Sequence, residues 1–218
     1  MPTHISLIRH GETDWNVTGK FQGHACVPLN EEGQRQAVLL AQHLAAAVQD
    51  VTALYSSDSL RTRQTAEVVA AQLGLPVQLD SRLREIDLGE WQGLTRAEAE
   101  LWDTERYQII MADPLNIPRP GGESGLQVAH RMLQVLEAIA AAHPGQYVLA
   151  VTHGGTIHNL LHLLGLADYG KDHILNTSIT RFVYDPDKPD TRWLLDVFNQ
   201  AGHLDTTNSA EAIREQEG

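Results

Sequence analysis

Short apolar runs and amphipathic stretches take turns along this chain, and that alternation limits the fold more than any other feature. "PTHISLIRH", residues 2–10, reads as a strand that runs into a glycine. After Asn30, an N-cap residue type, Ala37, Leu40, Ala41, Leu44 and Val48 recur at helical spacing. "VTALYSS" gives a second strand, Asp58 opens a helix stopped by Gly74, and "LPVQLD" is a short third strand. From Ser124, the residues Leu126, Ala129, Leu133, Leu136 and Ala140 mark a long helix ending near "HPG". "QYVLAVTHGG" is a buried strand, "TIHNLLHLLG" its helix, and "SITRFVYD" with "RWLLDVFN" a closing pair around "PDKPD". Repeated strand–helix units imply an α/β fold with a mainly parallel sheet and helices on both faces. No repeat or linker divides residues 1–203, so they read as one domain. Segment 94–120 is expected to be irregular, and 204–218 to form a polar, loosely held tail.

In such sheets ligands bind beyond the carboxyl ends of the strands. Strand one ends in Arg9-His10, strand two leads into the helix carrying Arg61, and the late strand ends in His153. Two guanidinium groups and two imidazoles are thus delivered to one edge. The chain as a whole carries a net charge of −12, which argues against nucleic-acid and membrane partners. A cation cluster on so acidic a chain is therefore a local device. Guanidinium forks match phosphate oxygens, and helices starting beyond these strands add N-terminal N–H groups, so a phosphoryl group is the expected guest.

Other features set the surroundings. The single cysteine, Cys26, excludes an intrachain disulfide framework and points to a reducing compartment. The first residues lack the pattern of a secretory signal, and no run approaches the roughly 18 apolar residues of a spanning helix. A cytoplasmic location is expected, with a homodimer as one possible assembly.

Binding a phosphoryl group is not turnover. A histidine can attack phosphorus and form a covalent intermediate, and a carboxyl group must protonate the leaving oxygen and later activate water. The carboxyl candidates are Glu85, Asp87 and Glu90 in "LREIDLGEWQG", and spacing alone does not choose among them.

"LIRHGETDWN" resembles the signature of the histidine phosphatase superfamily, the phosphoglycerate-mutase-like proteins. The similarity continues through "FQGHACVPLNEEG", "YSSDSLRTRQTAE", "LREIDLGEWQG", "PGGES" and "VTHGG". It implies a three-layer α/β/α sandwich and a metal-independent enzyme that needs no cofactor. Position by position, it implies that His10 is the nucleophile and that Arg9, Arg61 and His153 hold the phosphoryl oxygens. Asn16 would be a further donor, Gln22, Gly23 and Gly154 would line the phosphate pocket, and Glu85 would be the proton donor. His10 should then present one unprotonated nitrogen while the other donates to a backbone carbonyl. One departure stands out, because related phosphatases often carry aspartate where this chain has Cys26.

The remaining histidines are weaker candidates. His158 and His162 stand four apart on a helix, but Asn159 follows the first where a zincin has glutamate, so packing is expected rather than metal binding. His24, beside Gln22-Gly23, is a candidate for the pocket rim. Trp102, Tyr107, Ile109, Ile110 and Met111 serve equally well as core or as a substrate lid. Three functions follow from different classes. A phosphomonoesterase acting on a small phosphorylated substrate is favoured, because 94–120 offers only Arg96, Arg106 and Arg119. A cofactor-dependent phosphoglycerate mutase, with a basic closing lid, is the alternative. A non-catalytic phosphate-binding module comes last, since every residue the chemistry needs is present.

Overall fold

The structure, a computed structural model, describes residues 1–47, 50–166, 173–188 and 191–204. The chain opens with β1 (Thr3–Arg9), a single-turn α1 (Asp14–Val17), α2 (Glu31–Ala47), β2 (Val51–Ser56), α3 (Leu60–Leu73) and β3 (Val77–Leu79). It continues with α4 (Arg96–Trp102), α5 (Thr104–Ala112), α6 (Gly125–Ala142), β4 (Tyr147–Thr152), α7 (Gly154–Leu163), β5 (Ile179–Tyr184) and β6 (Trp193–Gln200). The sheet order is β3-β2-β4-β1-β5-β6. β3, β2, β4 and β1 run parallel, whereas β5 pairs antiparallel with both β1 and β6.

Side chains alternate across a strand, so each buried strand feeds two cores. Ile5 and Leu7 of β1 and Val148 and Ala150 of β4 meet Met132, Leu136, Ile157 and Leu160 of α6 and α7. Ile8, Leu149 and Val151 face the other way, onto Leu40 and Leu44 of α2 and Ala66 and Val69 of α3. The expected α/β/α layering is what the chain forms. β1 and β4 sit side by side with Arg9 opposite Thr152, which puts His10 and His153 at the same edge.

Two expectations are corrected. The helix after β2 starts at Leu60, not at Asp58, because both Asp58 oxygens are taken by Arg84 at 2.6 Å. Segment 94–120 is not irregular either. Thr95 and Glu98 form a capping box that starts α4, and the Asp103 side chain caps α5 by accepting from the Arg106 N–H. Helices of seven and nine residues give too few turns for apolar spacing to show. They close a third, small core of Ile86, Leu88, Trp91, Ala99, Tyr107, Ile110 and Val128. Among the described residues no helix is long and apolar enough to cross a membrane. Val48 and the tail from 205 onward lie outside the described residues.

Candidate active site

Four core elements converge on one buried point. Arg9 ends β1, and its Nη1 donates to the Ile174 carbonyl and lies 3.4 Å from His173 Nε2. His10 follows it, with Nδ1 at 2.7 Å from the Gly11 carbonyl. A carbonyl only accepts, so Nδ1 carries the proton and Nε2 keeps its lone pair. Arg61, in the first turn of α3, donates Nε to that Nε2 at 3.2 Å. Its other two nitrogens donate to the carbonyls of Ala25 at 3.1 Å and Gly23 at 2.8 Å. Burial, and then the charges of Arg61 and Arg9, hold the His10 pKa well below the ordinary imidazole range. The Gly11 hydrogen bond opposes them only weakly in this balance. Burial also pushes Arg61 down to about 10, which still leaves it cationic at neutral pH.

The main chain at this point is clamped. Asn176 Nδ2 donates to the His10 carbonyl at 2.9 Å, and the Thr177 N–H donates to the Arg9 carbonyl at 3.0 Å. Thr177 makes its bond from a left-handed conformation with φ of 55°, which is costly for a β-branched residue. Strain of this kind persists where surrounding structure enforces it, and functional sites are where it clusters.

Glu85 approaches from the turn before the third core. Its Oε1 accepts from the Ile86 N–H at 2.9 Å and from Thr156 Oγ1 at 3.0 Å, and Oε2 accepts from the Gly155 N–H at 3.1 Å. Those last contacts lie in the first turn of α7, whose N-terminus favours negative charge. A Cβ at residue 155 would stand 2.7 Å from Glu85 Oε1, so glycine there is what admits the carboxyl group. His24 Nε2 donates to the Glu85 carbonyl at 2.9 Å and fixes its backbone from the other side. A cavity of about 380 Å³ opens above this floor, walled by Phe21, Ile86, Leu88 and Ile174 and reached by Lys20 and Arg119.

The sequence profile of the histidine phosphatase superfamily (branch 1) matches residues 5–197. The chain belongs to that superfamily. Phosphoglycerate mutase-like protein 4 of Arabidopsis thaliana is 37% identical over 206 residues, spanning 93% of this chain and 87% of that protein. A metal-independent phosphoserine phosphatase of the same plant is 36% identical, spanning 93% and 83%. The mycobacterial glucosyl-3-phosphoglycerate phosphatase, solved with VO3, superposes with a TM-score of 0.79 at 32% identity, covering 90% of this chain and 98% of that one.

Within this superfamily member, Arg9, His10, Asn16, Gln22, Gly23, Arg61, Glu85 and Gly154 all line the one cavity. His153 does not. It is fully buried, edge-on to His10 with ring centroids 5.2 Å apart, and its Nε2 lies 3.1 Å from Ser57 Oγ. Its Nδ1 is buried without a hydrogen-bond partner among the described residues. Burial and the Arg61 charge keep its pKa, too, well below the ordinary range. Asn16 accepts from the Thr13 N–H and Oγ1 through Oδ1, which orients its Nδ2 donors away from that turn. Asp87 accepts from the Gly89 N–H within its own turn, and neither it nor Glu90 lines the cavity.

Sequence reasoning missed Lys20, Phe21, Asn159, His173 and Ile174 as cavity residues and gave Arg119 no role beyond a count of charges. It also missed Ser57, Thr156 and Asn176, which touch the reactive groups only through space. His158 lines the cavity, and His162 does not. No cluster of three metal-ligating side chains occurs among the described residues. His24 holds Glu85 instead of reaching the rim. Of the five large residues in 102–111, Tyr107 and Ile110 are core, Trp102 and Ile109 are exposed, and none lines the cavity. Cys26 is exposed, next to the Ala25 carbonyl that Arg61 uses.

Proposed function

We propose that the protein is a phosphomonoesterase that moves phosphate from a small ester to His10 Nε2 and then to water. The observation that supports it is the His10 tautomer: Nδ1 is committed to the Gly11 carbonyl, so Nε2 is the nucleophilic atom of a residue that lines the cavity. Phosphoryl oxygens entering the site compete for the Arg61 Nε–H and free the Nε2 lone pair. Nε2 attacks phosphorus, the P–O bond to the leaving alcohol breaks, and Glu85 delivers the proton to that oxygen. Water then attacks the phosphohistidine, Glu85 takes a proton from it, and the N–P bond breaks to release phosphate. Arg9, Arg61 and the N-terminus of α7 hold the developing charge, which is the main work of phosphoryl transfer. His153 backs His10 and has in Nδ1 a buried nitrogen with no partner among the described residues.

Hydrolysis is favoured over mutase chemistry because, of the three arginines in 94–120, only Arg119 reaches the cavity. A lid that must shield the phosphoenzyme from water needs more cations than that. The relatives named for phosphoserine and for glucosyl-3-phosphoglycerate hydrolysis support a small metabolite as substrate. The same reading keeps the protein in the cytoplasm, on its acidic charge and single cysteine, as one domain with α4–α5 as a cap. Phosphate release from simple monoesters should need neither a bisphosphorylated glycerate nor a metal ion. Rapid quench at neutral pH should trap label on His10, and His10→Ala should abolish both label and turnover while the fold survives. Fast, primer-dependent interconversion of 2- and 3-phosphoglycerate with little free phosphate would overturn the assignment in favour of the mutase.

A further inference from the structure

The cations of the cavity outnumber what one phosphoryl group uses. Arg9, Lys20, Arg61 and Arg119 line it, and among the described residues Glu85 is the one carboxylate that does. Arg9 and Arg61 belong to the floor at His10. Arg119 does not. It sits on the loop after α5, only 9% exposed, and donates Nη1 to the Pro114 carbonyl at 2.8 Å. Its Nε is buried without a hydrogen-bond partner, and Nη2 has none among the described residues either. The nearest acids in sequence are occupied: Glu123 pairs with Arg131 at 2.8 Å, and both Asp113 oxygens accept from Asn116 Nδ2 at 3.0 Å. A guanidinium taken out of water with no counter-charge is costly unless a ligand supplies one.

The unpaired edge also has a shape. Nε and Nη2 of arginine form the side-on fork that engages both oxygens of a planar carboxylate. Lys20 also lines the cavity and adds positive potential to it. Phe21, Ile86, Leu88 and Ile174 add apolar lining to the same cavity, whose volume of about 380 Å³ is near the small end of ligand sites. We infer that Arg119 reads a carboxylate on the leaving alcohol, so that the substrate is the phosphate ester of a small hydroxy acid or hydroxy amino acid. This rests on the phosphomonoesterase reading for its chemistry, but not for its binding. One arginine fork and a lysine suit a single carboxylate better than a second phosphoryl group, which on this floor takes two arginines and a helix terminus.

Matched pairs that differ only by the carboxylate test it: O-phosphoserine against phosphoethanolamine, and 3-phosphoglycerate against 2-hydroxyethyl phosphate. Wild-type kcat/KM should favour the carboxylate member of each pair by about 10- to 100-fold, the worth of one charge-assisted fork. Arg119→Met should bring that ratio close to one, and Arg119→Lys, which keeps charge but not the fork, should leave it in between. The ratio is internal to each sample, so partial loss of folded protein cancels. The same pairs, with 1,2-ethanediol bisphosphate, are titrated calorimetrically into His10→Ala protein with and without Arg119→Met. Tighter binding of the carboxylate members that depends on Arg119 supports the inference even if wild-type protein releases no phosphate from p-nitrophenyl phosphate, a result that would count against the phosphatase reading alone. Equal binding of both members, a ratio untouched by Arg119→Met, or tighter binding of the bisphosphate would overturn it.

Discussion

The floor of the cavity and the α4–α5 cap are built in opposite ways. The floor hangs from the carboxyl ends of β1 and β4, strands buried on both faces, and its polar groups are tied from several directions. Arg61 makes three hydrogen bonds, Glu85 accepts three, and the His10 carbonyl is held by Asn176. The cap rests on a small core of its own and leaves Leu101, Trp102 and Ile109 exposed at 82%, 49% and 51%. Preorganised charge belongs on the rigid part, where donors need no rearrangement during reaction. Lower local stability belongs on the part that can vary with substrate. Chemistry and selectivity are thus assigned to different layers of the same chain, and substitutions in each should be told apart by what they change.

The largest effect should come from Glu85, the one carboxylate that lines the cavity among the described residues. Glu85→Gln keeps the shape but cannot pass the proton, so alkyl esters should lose about 10²- to 10⁴-fold in kcat. Aryl phosphates with good leaving groups should lose far less in the first step. Asp87→Asn and Glu90→Gln should show no leaving-group dependence, since neither side chain lines the cavity. A leaving-group effect in Asp87→Asn would move the acid to that residue. Next comes Arg61→Met, expected to cost about 10²- to 10³-fold in kcat for every substrate alike. A loss that varied with the alcohol would mean that the floor, too, selects substrate.

That division explains what could be read in the sequence. Arg9 and His10 were legible because a buried strand that ends in charge must be opening onto something. The α2 and α6 faces were legible because seventeen and eighteen residues repeat the apolar spacing many times. The cap was not, since α4 and α5 depend on a capping box and on Tyr107 and Ile110 meeting Trp91 and Val128 across the fold. Glu85 could be separated from Asp87 and Glu90 by resemblance alone, because its partners Thr156 and Gly155 lie seventy residues away. Arg119 was counted but not placed, as burial without a partner is visible only in three dimensions. His153 was placed at the right edge, beside His10, and its neighbour Ser57 could not be foreseen from ninety-six residues away.

Acid should separate stability from protonation of the floor. Burial holds His10 and His153 well below the ordinary imidazole range, and it lowers His203, beside His43, to about 4. The same imidazoles titrate near about 6.5 in the unfolded chain. Below that pH the unfolded chain takes up protons that the folded chain refuses, so stability should fall as pH drops from there toward about 4. Each such group contributes up to about 1.4 kcal/mol per pH unit. Denaturant unfolding from pH 7 to 5 checks the fall, and NMR titration of ring signals should find His10 still neutral across that window. A His10 that titrated near 6.5 would mean that the floor is wetter than its burial implies.

The cap offers the smallest effects and the sharpest contrast, because two apolar residues on adjacent helices should behave in opposite ways. Ile110 is buried against Trp91 and Tyr107, and Ile110→Ala should cost about 2 to 5 kcal/mol through lost contacts and a residual cavity. Leu101, in the last turn of α4 two residues before the Asp103 cap of α5, is 82% exposed and has almost no apolar contact to lose. Leu101→Ser should therefore change stability by less than about 0.5 kcal/mol, the range of surface substitutions. Turnover of p-nitrophenyl phosphate should also stay within twofold, since nothing on α4 lines the cavity. Thermal melts and initial rates on the same samples decide the matter. If Leu101→Ser lowered kcat/KM several-fold with an unchanged melt, α4 would be closing over the substrate during turnover, and the layer assigned to selectivity would take part in the chemistry as well.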